Sequence, residues 1–220
     1  MRVQLPFANR EEAGRSLAQQ LAEYAGRSDA LILALVRGGM VIGRAIADAL
    51  HLPLFPYVVR KIGHPLHREY ALGAIAEGGS IFLDRDAMAM SGMTRQDIEP
   101  VIEEEMMELQ RRKGAYAIHP LPALQEKTVI LTDDGAATGS TMLAAMEDMR
   151  KAHAEKIIVA LPVCPPETAR TLRSKSDILV ALATPSPFNA VGEWYRDFPQ
   201  VEDEEVVSML SRTAQRSNDG

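Results

Sequence analysis

Five short apolar runs, at 31–36, 54–59, 129–132, 157–163 and 178–182, recur along 220 residues, and helical stretches separate most of them. Runs rich in Val, Ile and Leu without polar alternation suit strands covered on both faces. Strands that alternate with helices join through right-handed crossovers, so the expected fold is α/β: a parallel sheet with helices on both faces. An amphipathic helix carrying Ala13, Leu17, Leu21 and Tyr24 precedes the first run, and another follows it from Met40 to Leu50. An apolar content of 46% is enough for one core. The expectation is therefore a single domain over 1–214, with 215–220 as a loose tail. Between the second and third runs, 62–126 reads as an elaboration. Glycines at 73, 78 and 79 suggest a hairpin over 71–83. Asp97 can cap a helix whose Ile98, Ile102, Met106 and Leu109 share one face, with Pro100 in its first turn.

The third run continues into chemistry. Residues 129–141 read Val-Ile-Leu-Thr-Asp-Asp-Gly-Ala-Ala-Thr-Gly-Ser-Thr. Asp133 and Asp134 stand at the strand's carboxyl end, which borders the ligand crevice in open parallel sheets. Gly135, Ala136, Ala137 and Gly139 keep side chains small, so backbone N–H groups at the start of the next helix can face an anion. Thr138, Ser140 and Thr141 add hydroxyls. Such a site suits a ligand with a phosphate at one end and vicinal hydroxyls or Mg²⁺ at the other. A P-loop would need Lys before its final Ser/Thr, where this chain has Gly139.

This stretch resembles the phosphoribosyl pyrophosphate (PRPP) signature of type I phosphoribosyltransferases. The resemblance implies that Asp133 and Asp134 engage the ribose hydroxyls and hold Mg²⁺, directly or through water. It also implies that Ala136, Ala137, Thr138, Gly139, Ser140 and Thr141 wrap the 5′-phosphate. Arg37-Gly38-Gly39, after the first run, is similar to the family's pyrophosphate loop, which often contains a cis peptide. Arg60 and Lys61 match the position of its pyrophosphate-binding cations, and the flexible segment after them, to Gly79, matches its flap. Phe188, Trp194 and Tyr195, with Phe198, are candidates for the base side, within a hood over 184–214; a cluster pinning the last helix is the equal alternative. Ala137 stands where 6-oxopurine enzymes carry an acid, which disfavours hypoxanthine and guanine. Glu69 and Glu77 are flap carboxylates without an assigned role.

The implied function is transfer of phosphoribose from Mg²⁺-PRPP to a nucleobase or related nitrogen acceptor, with release of pyrophosphate. The alternative is a PRPP or nucleotide sensor using the same pocket; hydrolysis of phosphorylated sugars is a third reading. A net charge of −6 and the absence of a Lys/Arg run disfavour nucleic acid as a partner. No apolar run is long enough to span a bilayer, and the N-terminus lacks a signal-peptide segment. Cys164, the only cysteine, reads as a partly buried thiol and suits a reducing cytoplasm. A homodimer is common for such a fold. His64 and His67 read as solvent-facing, Met142, Met146 and Met149 as core, and Glu103, Glu104 and Glu105 as a solvated helix face.

Overall fold

The computed structural model describes residues 4–116 and 121–218. Five parallel strands form the central sheet in the order β2-β1-β6-β7-β8: β1 (Ala30–Leu35), β2 (Leu54–Tyr57), β6 (Thr128–Thr132), β7 (Lys156–Val163) and β8 (Ile178–Ala183). Alternate residues divide between its two faces. Ile32, Ala34, Ile130, Ile158 and Ala160 enter one core with α1 (Arg10–Gln20) and α2 (Gly39–Leu50). Leu31, Leu33, Val129, Leu131, Ile157 and Val159 enter a second with α5 (Ser140–Lys151) and α6 (Pro166–Lys175). The expected helices on both faces follow from this alternation. Pro56 is accommodated because β2 is an edge strand.

The run expected as one strand over 54–59 divides at Val58. After it, β3 (Val59–His64) leaves the central sheet and pairs antiparallel with β4 (His67–Ala76), which pairs with β5 (Ile81–Leu83). The segment expected as a flexible flap is thus largely strand, and 71–83 does form a hairpin. Helix α5 packs on this small sheet, where Val59, Ala74 and Ala76 join its core. Helix α4 (Arg95–Ala115) packs against β3 and β4, and its Ile98, Val101, Ile102 and Leu109 share a core with Ile62, Leu72 and Ile75. A short α3 (Arg85–Ser91) joins β5 to α4.

Several local expectations are corrected. Thr94, not Asp97, caps α4; Asp97 is the third helical residue and returns a bond to the Thr94 N–H, closing a capping box. That places Pro100 in the second turn. Met106 is 43% exposed and belongs to the outer face. His64 is buried at the β3–β4 turn, where its Nδ1 accepts from the Leu66 N–H. Met142, Met146, Met149 and Cys164 are buried as core, Cys164 completely. Burial pushes its thiol up to about 11, which makes it a poor nucleophile. Of the expected tail, 215–218 continue α7 (Asp203–Asn218), and 219–220 lie outside the described residues. So do 117–120 of the 62–126 elaboration and 1–3 of the N-terminus.

Candidate functional site

Because β1 and β6 are neighbours in the central sheet, the turns that leave their carboxyl ends meet. Asp133 and Asp134, half-buried, follow β6, and Arg37-Gly38-Gly39 follow β1. A Cβ on Gly38 would lie 1.9 Å from Asp134 Oδ2, and one on Gly39 2.9 Å from the Thr132 carbonyl oxygen. Only glycine permits this approach, so the two turns form one wall. The Val36–Arg37 peptide is cis.

Beyond the acids the chain folds over into α5. Gly139 takes φ +79°, a left-handed conformation that glycine adopts freely. The Ala137 carbonyl accepts from the Thr168 hydroxyl at 2.5 Å, and Thr138 Oγ1 lies 3.0 Å from Ser140 Oγ. Ala137 and Thr138 are exposed, and the Ala137, Thr138 and Gly139 N–H groups make no hydrogen bond to a described residue. Small side chains, free amides and a helix N-terminus together suit an anion.

The two acids are not equivalent. Asp134 Oδ2 accepts from Arg10 Nε at 2.8 Å, and both side chains are mostly buried, 8% exposed for Arg10 and 15% for Asp134. Arg10 is further fixed by Nη1 donating to the Pro199 carbonyl at 2.7 Å and by stacking of its guanidinium 3.6 Å from the Phe198 ring centre. Among the described residues Asp133 has only a local bond, its Oδ1 accepting from the Asp134 N–H at 2.8 Å. Burial, and then the charge of Asp134, raise Asp133 well above the ordinary carboxylate range. Burial raises Asp134 too, against the pull of Arg10 and Lys61. The site therefore carries two crowded carboxylates and welcomes cations.

Arg10 was not among the sequence candidates. It is a lone Arg at a helix start, and nothing in sequence links position 10 to position 134. Arg60 and Lys61 separate because neighbouring strand residues point to opposite faces. Lys61 is exposed and its charge acts on both acids. Arg60 instead meets Glu105 of α4 at 2.7 Å. Glu105 is accordingly not part of a solvated face, and Arg60 is already neutralised. Arg37 Nη1 lies 3.5 Å from both Glu202 and Asp203, at the start of α7. Asp203 also accepts from the Tyr116 hydroxyl at 2.6 Å.

Among the aromatic candidates, Tyr195 is buried, stacked on Phe198 at 4.9 Å and flanked by Phe7 at 5.5 Å, with its hydroxyl donating to the Asp134 carbonyl at 2.5 Å. With its ring enclosed and its hydroxyl spent, it is a support for the acid turn and offers no stacking face. Phe188 and Trp194 stack on each other at 5.9 Å and stay half-buried. The Trp194 indole N–H is buried and has no partner among the described residues. The Glu77 side chain is 7% exposed, and one of its oxygens accepts from the Val58 N–H at 2.7 Å.

Comparison with known proteins places this geometry. Residues 7–184 match the family model described as a phosphoribosyl transferase domain. A protein of Mycobacterium tuberculosis named as a phosphoribosyl transferase is 38% identical over 208 residues, covering 94% of this chain and 46% of its own length. The chain thus spans about half the length of the curated relatives it matches. The crystal structure of TT1426 from Thermus thermophilus superposes with a TM-score of 0.77 at 36% identity, covering 94% of this chain and 98% of that one. AQ2163 from Aquifex aeolicus shares the fold at a TM-score of 0.50 and 12% identity, over 78% of this chain and 72% of its own.

Proposed function

The chain belongs to the phosphoribosyl transferase family, and from that premise we propose that it binds Mg²⁺-PRPP and transfers phosphoribose to a nitrogen acceptor. The observation that carries this reading is the meeting of the Gly38–Gly39 turn with the Asp133–Asp134 pair, beside the open amides of the turn into α5. The pair would take the ribose hydroxyls, and the turn from Ala136 to Thr141 the 5′-phosphate. Arg37, the Gly38–Gly39 amides and Lys61 would take the diphosphate. Arg60 would contribute there only by leaving Glu105. Phe188 and Trp194 are the remaining aromatic candidates on the acceptor side.

In this reading the acceptor nitrogen attacks C1 of the ribose while the bond from C1 to the diphosphate oxygen breaks. The electron pair leaves with pyrophosphate, and the proton given up by the acceptor passes to the pyrophosphate or to solvent. Holding the two partners in line is the main contribution of such a site. Two crowded carboxylates fit Mg²⁺, which is commonly held by one or two carboxylates together with substrate phosphates. Bound there, the ion would supply charge neutralisation to the diphosphate oxygens. A second reading, sensing without transfer, would use the same pocket; Ala137 bears only on the choice of acceptor, disfavouring hypoxanthine and guanine.

Pyrophosphate release from Mg²⁺-PRPP across adenine, hypoxanthine, guanine, xanthine, uracil and orotate, with calorimetric PRPP binding in parallel, tests both. Release that depends on one base establishes transfer and names the acceptor. Binding without release favours the sensor, and absence of binding overturns the proposed site. Gly38→Ala is expected to disturb the acid wall and abolish PRPP binding in the same assay. Its overpacking costs about 1–3 kcal/mol of stability, so the variant should still fold.

A further inference from the structure

We propose that Asp148, on the same helix as the phosphate residues Ser140 and Thr141 but two turns beyond them, is a positioning residue that holds the strand carrying Lys61 in place relative to the 5′-phosphate turn; this rests on the transferase reading of that site. Asp148 lies on α5, the helix whose first turn forms the cradle, and is 5% exposed. Both oxygens of its carboxylate accept hydrogen bonds. Oδ2 accepts from the Tyr57 hydroxyl at 2.7 Å and from the Gly78 N–H at 2.8 Å, and Oδ1 accepts from the Ser80 N–H at 2.8 Å. A buried carboxylate is costly unless hydrogen-bonded, and bonds to a charged acceptor are about twice as strong as neutral ones. Its three donors are therefore held in a defined geometry.

Those donors belong to the parts that set the diphosphate side. Tyr57 ends β2, and its carbonyl accepts from the Val36 N–H at 3.1 Å, one residue before Arg37. Gly78 and Ser80 lie in the β4–β5 turn, which is joined to the start of β3 by reciprocal bonds. The Glu77 N–H donates to the Val58 carbonyl at 3.0 Å, and the Val58 N–H donates to the Glu77 carboxylate at 2.7 Å. Lys61 follows three residues later. Lys151, one turn beyond Asp148, adds a bond from Nζ to Ser80 Oγ at 2.9 Å. One helix thus presents the phosphate turn at its first residues and fixes the small sheet at its third turn. The distance between the two phosphate-binding ends of the ligand site is set through Asp148.

The test compares two ligands of the full chain. Ribose 5-phosphate with Mg²⁺ engages the cradle and the acids but has no diphosphate, whereas Mg²⁺-PRPP spans both ends. Asp148→Asn keeps the volume but leaves one acceptor oxygen, so one side of the clamp opens. PRPP affinity is expected to fall about tenfold, in line with the cost of small misplacements, while ribose 5-phosphate affinity is unchanged. Tyr57→Phe, which retains the ring, is expected to reproduce the pattern in milder form and covers the case in which Asp148→Asn does not fold. In a Lys61→Ala background either substitution should cost little further PRPP affinity, since coupled residues are not additive. Equal losses for both ligands, or full additivity with Lys61→Ala, would mean a purely structural role and overturn the inference. Wild-type protein that binds ribose 5-phosphate and PRPP equally would overturn it through the diphosphate half of the site, and wild-type protein that binds neither would overturn the transferase reading beneath it.

Discussion

Asp133→Asn is expected to bind Mg²⁺-PRPP far more weakly than the parent chain and yet to melt at a higher temperature. Removing one charged partner of a desolvated, hydrogen-bonded contact costs about 2–5 kcal/mol, or roughly 30-fold and upward in affinity. The opposite effect on the fold comes from the free protein. Asp133 is raised by burial and by the charge of Asp134, so its ionisation at neutral pH works against folding. The folded chain holds this proton more tightly than the unfolded chain does. The favourable contribution is complete below the ordinary carboxylate value of 3.8 and is lost as pH rises through the raised value in the folded protein. A neutral amide in place of the carboxylate removes that loss, and each kcal/mol relieved is worth about 2–4 °C in a chain of this size. Melting curves across acidic to neutral pH, beside calorimetry with PRPP, check both halves. A variant that loses binding and stability together would mean that Asp133 is a structural residue.

Arg10→Ala is expected to be the most destabilising single change at the site. The guanidinium is 8% exposed and satisfies Asp134, the Pro199 carbonyl and the Phe198 ring at once. Its removal leaves Asp134 crowded by Asp133 with no ion-pair partner among the described residues and only the longer-range charge of exposed Lys61, and breaking a buried pair in this way costs about 3–5 kcal/mol. At about 2–4 °C per kcal/mol the midpoint should fall by roughly 10 °C. Arg10→Lys keeps the charge but not the planar stack or the two-directional bonding, so it should recover only part of the loss. Thermal unfolding of the three proteins measures the series, and an unchanged midpoint for Arg10→Ala would show that the pair contributes little.

The sequence was most informative where its signal is local. Aliphatic runs and helical spacing gave the parallel sheet and the helices on both faces, and the Val129 to Thr141 stretch marked its own strand, turn and helix start. Arg10 could not be read this way, because its partner is 124 positions away and only the packing of α1 beside the sheet end brings them together. The division of Arg60 from Lys61 was hidden for a related reason. Adjacent cations look equivalent in sequence, and only pairing of β3 into a second sheet, with α4 on one side, gives Arg60 to Glu105. Tyr195 looked like a stacking surface because an aromatic run reveals composition but not which ring faces are already covered.

The adjacency of β1 and β6 also bears on how the chain reaches its native state. Ala30 pairs with Thr128 across 98 positions (128 − 30), and the small sheet with α4 falls within that span. Closing such a long loop carries an entropic cost before any ladder contact rewards it, and non-local parallel pairing is intrinsically slow. The acid wall has one side on each of these strands. The acid wall cannot assemble until this long-range pairing has closed, whereas the β3–β5 meander rests on nearer contacts, and a nascent chain that stops before residue 128 lacks one side of the wall.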